Sequence, residues 1–76
     1  MSFLNSITEE QKIAILEEVK LSKSRDIYRL CAILGIDSNT FNPADYVLPS
    51  PVIQHETVLL DQACKAYVAV VSKIEE

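Results

Sequence analysis

The stretch from Pro51 to Glu76, PVIQHETVLLDQACKAYVAVVSKIEE, decides the fold. After its first residue it contains neither Pro nor Gly. Ile53, Thr57, Leu60, Cys64, Tyr67, Val71 and Ile74 recur in alternating steps of four and three, which is the period of a helix face rather than a strand. Val52, Leu59, Ala63, Ala66 and Val70 form a second row beside the first. Together the rows cover an arc of roughly 200°, about twice the stripe of a one-sided amphipathic helix. The pattern predicts a long helix over about 51–75. One side would pack on the rest of the chain, and the surplus would meet a second partner.

Working back from this helix, Gly35 marks the clearest boundary. Ile27, Leu30, Cys31 and Leu34 lie at i, i+3, i+4 and i+7, a core stripe that Gly35 closes in the left-handed position while Ile36 folds back. Further upstream, Thr8 and Gln11 have capping-box spacing, with Glu9 and Glu10 at the positive end of the helix dipole. Ile13, Ile15, Leu16 and Val19 supply the apolar face of that segment. Ser22-Lys23-Ser24 offers a cap for a new helix. The expectation is therefore two helices, about 8–21 and about 25–34, forming a helical hairpin; no Gly or Pro enforces the break, so one long bent helix is the alternative.

Residues 37–50 read as an irregular strap. Asp37-Ser38-Asn39-Thr40 is turn chemistry, and Asn42-Pro43-Ala44-Asp45 suits one short helical turn. Phe41 and Tyr46 would cover core edges, and Ser50-Pro51 would open the C-terminal helix. The predicted class is all-α: one small helical bundle, with a hairpin packed on a long C-terminal helix.

A chain of 76 residues buries only about 60% of its unfolded surface, so small scaffolds commonly rely on a disulfide, a metal or association. Cys31 and Cys64 each fall within an apolar stripe and read as reduced core thiols. Association is the remaining route. The expected contact is Leu59, Ala63, Ala66 and Val70, joined by Ile15 and Val19, in a homodimer or a hetero-complex.

Charge is uneven along the chain. Residues 1–19 carry −3, residues 20–29 carry +3 and residues 30–76 carry −4, for a net −4. Lys20, Lys23, Arg25 and Arg29 form the basic stretch, a candidate docking patch for an acidic partner. A mildly acidic chain lacks the basic surface that phosphate binding rewards, so nucleic acid is not an expected partner. Met1–Asn5 lacks a basic start and a long apolar core, so no signal peptide is read there. The longest apolar run, Ala66–Val71, is far short of the roughly 20 residues needed to span a bilayer. A cytoplasmic chain with no membrane partner is expected.

Leu30–Phe41 resembles the middle of a helix-turn-helix unit: helix, Gly turn, apolar residue, polar helix start. The resemblance implies a recognition helix from about Ser38 and a DNA-binding regulator, with Arg25 and Arg29 on phosphates. Pro43 in mid-course, Asp37 and Asp45, and the lack of any Arg or Lys from Ser38 to Leu48 oppose it.

Catalytic and metal chemistry find little to build on. His55 has no second His or Cys at i+3 or i+4, and Cys64 lies over two turns beyond it. An enzyme or metal site drawing on His55, Cys31 and Cys64 is the weakest alternative. No cofactor site, metal site or catalytic residue is assigned, and one glycine in the chain excludes a glycine-rich phosphate loop. A non-catalytic interaction module, acting as a regulator, adaptor or inhibitor, is the expectation.

Overall fold

The computed structural model describes residues 7–75; the Met1–Asn5 segment read above lies outside them. The fold is all-α. Helix α1 spans Glu9–Leu34, a 3₁₀ turn spans Pro43–Asp45, and helix α2 spans His55–Glu75, with no strand among the described residues.

The capping box closes the start of α1. The Gln11 N–H donates to Thr8 Oγ1 at 3.1 Å, and the Thr8 N–H donates to Gln11 Oε1 at 2.9 Å. Two orphan donors are thereby satisfied by the sequence motif itself.

The expected hairpin of two short helices is corrected: α1 is a single helix of 26 residues. Ser24 does not cap a new helix. Its hydroxyl donates to the Lys20 carbonyl at 2.8 Å, the back-bonding available to a serine inside a helix. The inward stripe also runs through the junction without a change of phase. Leu16, Lys20, Lys23, Ile27, Leu30 and Leu34 are all buried or half-buried. A break at Ser22–Ser24 would pull half of this stripe out of register with α2.

The end of α1 follows the glycine signal. Gly35 sits at φ 75°, ψ 23°. The Ile36 N–H donates to the Cys31 carbonyl at 2.8 Å and the Gly35 N–H to the Ala32 carbonyl at 3.4 Å, a Schellman closure. Ile36 then folds back onto the core.

In the connector, the Asn39 N–H donates to Asp37 Oδ1 at 3.0 Å, an Asx turn. The Ala44 N–H donates to Asn42 Oδ1 at 3.1 Å and caps the 3₁₀ turn. The Phe41 and Tyr46 rings meet at a tilt of 53° with centroids 5.6 Å apart and lie against the core.

α2 begins at His55 rather than near Pro51. The Thr57 N–H and hydroxyl both donate to the Gln54 carbonyl, at 3.1 and 2.6 Å, so the first helical turn is anchored there. Extending the helix back through Ile53 would bury nothing, since Ile53 is 88% exposed. Val52 and Ile53 are also β-branched, which weakens a helix end that lacks packing.

Ile27, Leu30 and Cys31 of α1 interlock with Leu60, Ala63 and Cys64 of α2. Leu34, Ile36, Phe41, Tyr46 and Tyr67 surround them. The radius of gyration is 14.8 Å, against about 11 Å for a compact domain of this length. Two long rods joined by one small core leave much of their length without a covering layer.

Candidate functional site

On one side of the helix pair the connector packs on α2 through its 3₁₀ turn and Tyr46. A cleft remains there, lined by Pro43, Ala44 and Tyr46 of the connector and by Asp61, Cys64, Lys65, Val68 and Ala69 of α2. On the other side a shallow groove of about 240 Å³ runs between the helices. Lys23, Asp26, Arg29 and Leu30 form its α1 wall, and Leu59, Gln62 and Ala63 its α2 wall. The chain lays nothing else over this groove among the described residues.

Two of the six expected contact residues line this groove, and Ile15 lines a separate depression with Ile7, Gln11 and Ala14. Leu59 and Ala63 line the groove directly. One and two turns further along α2, Ala66 and Val70 continue the same wall at helical spacing and are half-buried. On α1, Ile15 and Val19 stand on the flank that Asp26 and Arg29 continue; Ile15 is 48% exposed and Val19 half-buried. Ala63 differs from the others. It is 8% exposed and belongs to the α1–α2 core, so it forms groove floor rather than rim. Leu59, at 40% exposed, is the apolar group that α2 offers most openly there.

The structure also shows that the two apolar rows of α2 are not two opposite sides. The Leu60 and Cys64 row is enclosed by α1 and the connector together. The second row is its neighbour at the edge of α1. Intramolecular packing therefore uses more of the arc than the sequence pattern suggests. Ile33, 59% exposed, extends the α1 wall and was missed. Its phase matches Ile15 and Val19, a relation visible only when α1 is one helix.

The basic stretch does not form one patch. Lys20 and Lys23 are half-buried, while Arg25 and Arg29 are exposed. Arg29 is engaged with Asp26 Oδ1 at 3.4 Å. Groove electrostatics therefore rest on Lys23, Arg29 and Asp26, a net single positive charge.

Residues 38–48 hold only turns and the 3₁₀ segment. The recognition helix implied by the helix-turn-helix resemblance does not form; Pro43 opens a three-residue turn instead. His55 is exposed at the start of α2, whereas both thiols are free and buried in the core, so the three do not share one accessible site. Burial pushes both thiols up, Cys64 to about 11, with Cys31 and then Asp61 adding to the shift. The shift disfavours the thiolate form of both groups. Among the described residues no group of three or more His, Cys, Asp or Glu is placed to hold a metal ion. No described helix is long and apolar enough to cross a membrane. Comparison of the chain with protein-family models, with curated proteins and with solved structures gives no match.

Proposed function

We propose that this chain is a non-catalytic protein–protein interaction module, a small regulator, adaptor or inhibitor that docks through the open face of its helix pair. One observation carries the reading: the groove between α1 and α2 is walled by helix on both sides and holds Leu59, 40% exposed, on its α2 wall. Apolar side chains held on ordered helices lose little conformational freedom when a partner covers them. An amphipathic helix laid into the groove would complete a three-helix layer. A cytoplasmic site of action belongs to the proposal, supported by two unpaired core cysteines in a chain this small.

The test is native cross-linking in extracts of the source cell, with the wild-type chain and Leu59→Asp compared. The expected result is a stoichiometric complex, with itself or with another chain, that the substitution weakens at least about tenfold, the loss that follows from forcing a charge into a desolvated contact. A chain that runs as a strict monomer in extract and when purified overturns the reading.

A further inference from the structure

The side of α1 that faces away from the core carries its own apolar row. Ala14, Leu21 and Tyr28 are spaced seven residues apart, and all three are exposed, Leu21 by 52% and Tyr28 by 66%. Seven residues fall about 20° short of two helical turns, so the row runs nearly along the axis for roughly 21 Å. On one flank of it stand Glu18 and Arg25, also seven apart and exposed. Neither has an ion-pair partner among the described residues, nor do Glu10, Glu17, Lys20 and Lys23; the ion pairs within α1 are Lys12 with Glu9 and Arg29 with Asp26.

We propose that this outer face binds a second copy of the chain, with the two α1 helices antiparallel about a two-fold axis beside Leu21. The occupant follows from the self-complementarity of the row. In a two-fold contact, residue i meets j and j meets i. Ala14 and Tyr28 are equidistant from Leu21, so each small side chain meets a large one at both ends of the contact. Leu21 meets its own counterpart at the centre. Glu18 and Arg25 are centred on nearly the same point and lie on one flank, so each meets the opposite charge of the other copy, twice. A parallel two-fold pairing would set Ala14 on Ala14 and Tyr28 on Tyr28, and would place Glu18 and Arg25 of the two copies on opposite sides of the seam, where they do not meet. About an axis at Leu21, residues 9–18, which carry −3, lie opposite residues 24–33, which carry +1 from Arg25, Asp26 and Arg29, so the charges along the helix attract in this arrangement. This contact lies on a different face from the groove of the proposed function, and Leu59→Asp separates the two.

Sedimentation equilibrium of the full chain at low salt, from about ten to several hundred micromolar, tests it; one helix per protomer is a small interface and an affinity in the micromolar range is expected. Arg25→Glu and Glu18→Arg should each raise Kd about tenfold or more, since each sets like charges together at two symmetric places. The double exchange, Glu18→Arg with Arg25→Glu, should return Kd to near the wild-type value. Leu59→Asp, on the groove, should leave the dimer intact. Far-UV circular dichroism checks helix content in each variant. The double exchange keeps the residue composition unchanged, so it remains decisive where a single reversal perturbs folding. A monomer at every concentration overturns the proposal. So does a dimer indifferent to the reversals, or one lost through Leu59→Asp alone, which would instead locate association in the groove.

Discussion

The Ser24 hydroxyl donates to the carbonyl oxygen of Lys20 at 2.8 Å, one turn back along α1. The serine side chain is thereby used inside the helix, and α1 continues through the point where its backbone is least favoured. Replacing Ser24 with Ala removes the competing hydroxyl and adds helix propensity. Ser24→Ala should therefore be neutral or stabilising by up to about 0.5 kcal/mol in denaturant unfolding. A serine capping a separate helix would behave in the opposite sense, losing about 1 kcal/mol. The sign of the change distinguishes one rod from two.

Leu60 is fully enclosed at the centre of the core. Leu60→Ala should cost about 2–5 kcal/mol, the range seen when a buried leucine is truncated and the cavity only partly collapses. With six buried side chains in the core of the described residues, thermal melting should show that loss as a large fall in midpoint or as loss of cooperative unfolding.

Gly35→Ala isolates a backbone effect. A methyl group at Gly35 would meet nothing within 4 Å, yet φ is +75°. The expected cost is about 1 kcal/mol from the left-handed conformation alone. Gly35→Asn should cost less, because Asn tolerates that region better. Equal losses for the two, measured by urea midpoint, would mean that the conformation is not what limits the site.

The buried thiols make stability fall at alkaline pH. Burial first, then Cys31 and Asp61, push the Cys64 thiol from its ordinary 9.0 up to about 11. The unfolded chain releases this proton near 9.0 while the folded chain retains it. The native state therefore binds more protons between the two values, and stability drops as pH rises. The contribution is intact below pH 9 and is lost by about pH 11; its size is on the order of 2–3 kcal/mol. The Cys31 thiol and the Tyr46 hydroxyl are raised in the same direction, mainly by burial, and should steepen the fall. Denaturant midpoints taken across this window should decline, and Cys64→Ala should flatten the decline.

The parts of the fold legible in the sequence are those built from neighbours. The Thr8–Gln11 box, the Gly35 stop with Ile36 folding back, the Asn42-capped turn and the Leu60–Cys64 stripe each depend on hydrogen bonds or spacing within a few residues. Local chemistry specifies such features before any tertiary contact forms. For the candidate site, the same local periodicity placed Leu59, Ala66 and Val70 in one row and marked Ile15 and Val19 as apolar positions of α1, but it could not tell which of them line the groove between the helices; of these five, Leu59 does.

Three outcomes needed the assembled structure. α1 is continuous because its inward stripe packs through Ser22–Ser24; the amino acids there permit either a break or a helix. α2 starts at His55 because only from Glu56 onward does helix formation begin to withdraw side chains from water. Ala63 lies in the core, while Leu59 remains at the groove rim, because α1 crosses one edge of α2 and the connector crosses the other. In each case burial between segments distant in the chain decides among local conformations of nearly equal free energy. Sequence alone determined where helices can begin, end and turn greasy; the packing of α1, connector and α2 determined which apolar positions stay in water.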